Sequence, residues 1–308
     1  MPADTRQSGY HLRINAMNIS VRPRQFLSGH LIRRSVNETQ TPPLGRIGPL
    51  CARLAGSRTD IAHAQNLRYR VFCKEMGAPA GAIQKLTRRD RDHWDRECDH
   101  LLVFDEAQED VAARRKPVGT YRFLTQQNSN RRGCGFYTQG EFDIAPLMAR
   151  HPTLHFMELG RSCVLPRWRD KRTIELLWHG TWAYVLHNKV DVMIGCASFA
   201  GTDPQALAEP LSFLFHHCAP DPGWGVEARQ GRGVGMNLLA AEELDPKRAL
   251  RCLPPLIKGY LRLGAMIAGE AVIDHQFGTT DVLVILPVSR INPRYVRHYG
   301  ADASRHAA

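Results

Sequence analysis

The chain has no long apolar run. The longest stretch free of Asp, Glu, Lys and Arg is Leu176 to Asn188, 13 of 308 residues, whereas a helix that crosses a bilayer needs about 20. The opening residues also lack the apolar core of a secretory leader, because Arg6, Arg13, Arg22 and Arg24 interrupt every candidate. The expected location is the cytoplasm. CxxC is absent, and the eight cysteines at 51, 73, 98, 134, 163, 196, 218 and 252 form no closely spaced Cys/His quartet. That scatter fits buried thiols in a reducing compartment better than zinc, so no metal is expected. Internal repeats, low-complexity tracts and nucleic-acid-binding motifs are missing as well.

Acids and lysine are scarce at the start. Residues 1–58 hold nine Arg, no Lys and only Asp4 and Glu38, and so supply +7 of the net +11. Residues 1–46 lack sustained periodicity and close on "TQTPPLG", which reads as a linker. A basic, disordered arm is expected there, able to touch an anionic membrane face or an acidic protein. The rest is ordinary in composition, at 43% hydrophobic and 23% charged over the whole chain.

What is present reads as alternating strands and helices. "LCARLA" is a strand, and "TDIAHAQNLRYRVFCKEMG" a helix with Asp60 capping its first turn and Gly77 ending it. Its inner face carries Ile61, Ala64, Leu67, Arg68, Val71 and Phe72. The acidic loop "RRDRDHWDRECDH" leads to the strands "LLVFD" and "VGTYRFL". After the turn and short helix of "FYTQGEFDIAPLMAR" come a strand at 156–164, the helix "DKRTIELLWHGTWAYVLHNK" and the strand "VDVMIGCASF". "DPQALAEPLSFLFHH" is expected as a helix interrupted at Pro210, "LPPLIKGYLRLGAMIAG" (253–269) as another, and "DVLVILPV" as the last strand. This order fits one α/β domain with a C-terminal addition.

The strand "FMELGRSCV" carries the sharpest signal, because Glu158 and Arg161 sit in a buried run. A buried charge must be paired, hydrated or aimed at a ligand. Alternation puts the two on opposite faces, unless a bulge at Gly160 turns them together. By alternation Glu158, Gly160 and Ser162 would line one face, leaving room for a substrate beside a base; an internal ion pair is the competing reading. Arg167, Arg169, Lys171 and Arg172 follow at a helix start capped by Asp170. They form either a phosphate-binding site or a solvated basic turn. Asp92, Asp95 and Asp99 form a cation-binding rim or a set of caps. Arg68 should pair with that loop, and Arg122 in "GTYRFL" poses the same question. "QGRGVG" (230–235) matches a pyrophosphate-cradling pattern but lacks the strand that should feed it. "GCASFAG" (195–201) has the wrong spacing for a nucleophile elbow.

Arg68-x-x-x-Phe72, Asp92-x-x-Asp95, Arg122, Phe142 and Glu158-x-x-Arg161 resemble, in order and spacing, the acyl-homoserine lactone synthases. Over residues 47 to 299 the chain is more similar to the L-ornithine Nα-acyltransferase family, in "LRYRVFCKEMGA", "ELGRSCV", "IGCASFAGTDP", "LPPLIKGYLRLGA" and "FGTTDVLVILPV". The resemblance implies a GNAT-like fold over 47–299: a mixed, mostly antiparallel sheet flanked by helices, followed by a tail at 300–308. It further implies transfer of a 3-hydroxyacyl chain from acyl carrier protein to the α-amine of L-ornithine, giving lyso-ornithine lipid. No permanently bound cofactor is implied, only the donor's phosphopantetheine arm, entering where the strands 156–164 and 190–199 splay. "RDKRTI" stands where coenzyme A-dependent members have a Gly-rich loop, which favours the carrier protein as donor. On this reading Glu158 is the base, Arg122 or Arg161 grips the amino-acid carboxylate, and Asp92, Asp95 or Asp99 meets the side-chain ammonium. The cations Arg167, Arg169, Lys171 and Arg172 receive the donor phosphate, and Arg68, Phe72 and Phe142 are structural or shape the pocket. The competing readings are a homoserine lactone synthase and a non-catalytic basic protein acting through residues 1–46.

Overall fold

The computed structural model describes residues 41–292 and Tyr295. Nine strands form one sheet: β1 (Pro43–Ile47), β2 (Leu50–Leu54), β3 (Asp99–Asp105), β4 (Gly119–Thr125), β5 (Phe156–Val164), β6 (Val192–Ala200), β7 (Gly233–Gly235), β8 (Met266–Asp274) and β9 (Thr279–Pro287). Their spatial order is β1-β2-β3-β4-β5-β6-β9-β8-β7. Every neighbouring pair is antiparallel except β5–β6, which is parallel and is bridged by the helix Lys171–His187. A parallel pair needs such a crossover, so this helix fixes the centre of the fold.

The two faces of the sheet can be read from residue parity. Tyr121, Phe123, Met157, Leu159, Met193, Ala197, Val282 and Val284 bury one face under the helices Lys171–His187, Ala208–His217 and Pro255–Leu263. Leu124, Phe156, Val192, Ile194, Leu283 and Ile285 bury the other. That second face also carries the helix Arg58–Arg68 and the short helix Ala145–Arg150. We call these the helical face and the loop face.

Several boundaries differ from expectation for identifiable reasons. Residues 43–46, expected in the arm's linker, belong to the edge strand β1, where a proline is tolerated because it need not donate to the ladder. The arm from 1 to 40 and the tail 300–308 lie outside the described residues. The first helix starts from Ser57, whose hydroxyl accepts from the Asp60 amide, while Asp60 pairs with Arg53. Its last turns, Tyr69–Glu75, widen before Gly77 (φ 79°). Pro210 causes no interruption, because it falls in the first turn of Ala208–His217, where no backbone bond is lost. The helix expected over 253–269 stops at Leu263, since Gly264 (φ 98°) caps it and the chain then enters β8. β8 and β9 form a hairpin that completes the sheet beside β6.

Candidate active site

β5 and β6 pair only at Phe156↔Val192, Met157↔Met193 and Glu158↔Ile194. Beyond that point they part, although β5 runs on to Val164 and β6 to Ala200. A cavity of about 320 Å³ fills the gap. Tyr121, Leu159, Ala197 and Tyr260 line it from the helical face, and Arg122, Glu158, Asp274 and Asp281 from the loop face. The cavity thus crosses the sheet, with an apolar and phenolic end on one side and a charged end on the other.

The bulge expected in β5 is present, one residue later than placed. Thr120 pairs with Cys163 and Arg122 with Gly160, so Arg161 and Ser162 together oppose Tyr121. Arg161, not Gly160, takes the left-handed conformation, at φ 52°. For a residue with a Cβ this costs on the order of 1 kcal/mol or more. The extra residue inverts parity downstream: Cys163 and Leu165 now pack on the loop face with Leu67 and Val71. Ser162 therefore does not share a face with Glu158, as strict alternation would have it, although it still lines the cavity.

Glu158 is buried and makes no ion pair with Arg161. Its carboxylate accepts from the Tyr137 amide (2.9 Å), the Thr138 amide (2.6 Å) and the Thr138 hydroxyl (2.5 Å). Burial pushes its pKa up, against the pull of those Thr138 and Tyr137 donors. It is a cavity-lining acid held in one orientation by the turn Tyr137–Gly140.

The three arginines meet three aspartates, and sequence reasoning named only two of these. Arg68 Nε donates to Asp90 (2.8 Å) and its Nη2 to Asp95 (2.8 Å). Arg122 Nη1 contacts Asp92 at 2.7 Å and Asp95 at 3.1 Å. Arg161 lies 3.4 Å from both Asp90 and Asp92 and stacks its guanidinium on the Tyr137 and Phe277 rings. Burial works against the charges, but the partners more than offset it: Asp95 is held well below the carboxylate range by Arg68, and the pKa of Arg122 is raised by Asp92. Asp92 and Asp95 also cap each other across the turn His93–Arg96. Their carboxylates are thus occupied by guanidinium groups and do not line the cavity. Asp99 lies apart, accepting from the Tyr184 hydroxyl at 2.7 Å.

Of the four cations, Arg169 lines the cavity and makes a bidentate pair with Glu75 (2.5 and 2.7 Å). Arg167, Lys171 and Arg172 are exposed around the start of the helix, where Asp170 accepts from the Thr173 amide as expected. Phe72 lines the cavity edge-on to Phe277 at 6.0 Å, whereas Phe142 is buried in the loop-face core.

Two further features escaped the sequence. Tyr121 and Tyr260 are hydrogen-bonded hydroxyl to hydroxyl at the helical-face end; burial raises both, Tyr121 to about 12. Asp274 and Asp281, on β8 and β9, are the aspartates that do line the cavity, and Glu141 stands beside them. Only their burial together betrays them, and no local spacing in the sequence encodes it.

An acetyltransferase (GNAT) domain model matches residues 67–179. An L-ornithine N(alpha)-acyltransferase of Rhizobium meliloti strain 1021 is 50% identical over 90% of this chain and 93% of its own length. One from Agrobacterium fabrum is 52% identical over 85% and 88%. Among solved structures, FeeM, an N-acyl amino acid synthase from uncultured soil microbes, overlays with a TM-score of 0.43 at 10% identity, over 80% of this chain and 93% of that one. With half its residues shared across nearly the whole of such relatives, and with a sheet that splays at its one parallel pair, the chain belongs to the L-ornithine N(alpha)-acyltransferase family, acyltransferase enzymes on the GNAT fold.

Proposed function

We propose that this enzyme moves a 3-hydroxyacyl chain from acyl carrier protein to the α-amine of L-ornithine, giving lyso-ornithine lipid, the first step of ornithine-lipid assembly. The observation that carries this reading is the cavity through the sheet: an apolar end suited to a thioester tail, and a charged end suited to an amino acid. The donor's pantetheine arm enters from the helical face past Arg169, while Arg167, Lys171 and Arg172 attract its phosphate and the acidic carrier surface. Ornithine enters from the loop face.

The α-amine is protonated near neutral pH and must lose a proton before it attacks. Glu158, directly or through one water, accepts that proton. The nitrogen then bonds to the thioester carbon, the C–S bond breaks, and the thiolate leaves with a proton. Tyr121 and Tyr260, kept protonated by burial, are the hydroxyls at that end of the cavity. Arg161, restrained by its bulge and by two rings, is the better placed of the two guanidiniums to grip the substrate carboxylate, since it stands 3.4 Å from its two aspartates whereas Arg122 is in close contact with its own at 2.7 and 3.1 Å.

Expression in a host that makes no aminolipids, followed by mass spectrometry of the lipid extract, tests the reaction. The expected product is a 3-hydroxyacyl ornithine; acylation of a different amino acid, or of none, refutes the assignment. With purified enzyme, Glu158→Gln is expected to lower kcat at least about 10²-fold at an unchanged fold. A folded variant with near-full turnover removes Glu158 as the base.

A further inference from the structure

Asp274 and Asp281 line the loop-face end of the cavity, and Glu141 joins them: one carboxylate oxygen from each lies within 4.8 Å of the others. All three side chains are nine-tenths or more buried. No salt bridge holds any of them among the described residues. One oxygen of Glu141 (Oε2) and one of Asp281 (Oδ1) are buried without a hydrogen-bond partner. Burying an unpaired carboxylate is costly, and burying three together adds mutual repulsion. Other buried acids among the described residues are answered: Asp90 and Asp95 by arginines, Glu158 by amides and a hydroxyl. Among the described residues Asp274 accepts from the Gln276 and Phe277 amides, whereas Glu141 Oε2 and Asp281 Oδ1 are left without a partner, and Asp274 and Asp281 border the open cavity. The pKa values of the cluster follow that geometry, with Glu141 pushed up to about 7 by burial and by Asp281, and Asp281 raised by its own burial.

We propose that Glu141, Asp274 and Asp281 form the receptor for the side-chain ammonium of the acceptor, and so select a diamino acid over uncharged amino acids of the same shape; this rests on the N-acyltransfer reading above. A primary ammonium presents three N–H donors and one positive charge. Three convergent acceptors, two of them unsatisfied, complement it. The role expected of Asp92, Asp95 or Asp99 thereby passes to acids whose charge is not already spent. The substrate's two charged ends are then recognised by opposite groups across one cavity, with Arg161 over the Phe277 ring toward the carboxylate and the acid trio toward the ammonium.

Calorimetric titration of the full chain with L-ornithine and with L-norvaline, which has the same side chain without the amine, tests this. Ornithine is expected to bind about 10²-fold more tightly. In Asp281→Asn and Glu141→Gln the preference should shrink to within about threefold, while both variants melt at or above the wild-type temperature because repulsion is relieved. Equal affinities in the wild type, or a preference that survives both substitutions, overturns the proposal; the wild-type comparison decides even if a variant fails to fold. Stabilisation of the wild type, but not of Asp281→Asn, by Mg²⁺, Ca²⁺ or Mn²⁺ in competition with ornithine would make the cluster a metal site and also overturns it. The two readings fail separately. Acyl transfer as efficient to norvaline as to ornithine sinks the receptor and leaves N-acylation standing. Ornithine held by the trio with no transfer from any acyl donor sinks the reaction and leaves the receptor.

Discussion

At the scale of single residues, burial decides which charges are structural and which await a ligand. Glu141 makes the difference measurable through pH. Its carboxyl titrates at about 7 in the folded chain against an ordinary 4.5, because of burial and the nearby Asp281 and Asp274. The folded state therefore binds more protons than the unfolded state between those values, and stability falls as pH rises from about 4.5 to 7, then levels. The full span corresponds to a few kcal/mol, on the order of 3 at most. His100 works the other way: burial lowers it to about 4 from 6.5, so its contribution is lost as pH falls through that window. Denaturant titrations of wild type and Glu141→Gln at pH 5, 6, 7 and 8 separate the two. The variant is expected to gain most over wild type at pH 8 and least at pH 5, and a pH-independent difference contradicts the buried-acid account. Arg68, Arg122 and Arg161 were conspicuous in the sequence because guanidinium groups are out of place in apolar runs. Glu141, Asp274 and Asp281 were not, because each stands near a turn or strand end, where acids are commonplace.

At the scale of elements, the site exists because two neighbouring strands pair for three residues and then separate. Gly195 sits at the point of separation, directly after the last β5–β6 pair. A Cβ added there would overlap the Leu159 carbonyl oxygen, a backbone atom that cannot rotate away. Gly195→Ala is therefore expected to force the strands further apart and cost about 1–3 kcal/mol or more, with kcat falling as Glu158 and Leu159 shift. Urea unfolding together with single-turnover acyl transfer checks this; a variant of unchanged stability and rate shows the strands to be freely adjustable. Strand 156–164, the helix after it and the strand at 192–200 were legible because their periodicity is strong and Asp170 marks a helix start. The reading failed at β8, where "AMIAG" continues an apolar helical pattern and only Gly264 signals the stop. It failed also at Ser162, whose face depends on where the extra residue of the bulge falls, and that is set by pairing with β4.

At the scale of the whole molecule, the charges near the cavity fall into a buried acidic set and an exposed basic set. The acids near the loop-face end are buried and act at contact range, whereas Arg167, Lys171 and Arg172 are exposed and act through solvent. An acidic protein donor would be drawn to the exposed set, and such attraction decays over a Debye length of about 10 Å at 0.1 M salt. Michaelis constants for acyl carrier protein substrate are thus expected to rise steeply between about 50 and 300 mM salt, while those for ornithine change little, because the acids proposed to meet it are shielded from solvent. Replacing Arg167, Lys171 and Arg172 together with alanine should raise the donor KM about tenfold and flatten its salt dependence, with a much smaller change in kcat. A short phosphopantetheine thioester keeps the phosphate but carries no protein surface, so it serves as the internal control and should lose little of its efficiency. If salt and the triple substitution affect the two donors equally, the basic turn is not where the carrier docks, and the phosphate alone, held near Arg169, must account for donor recognition.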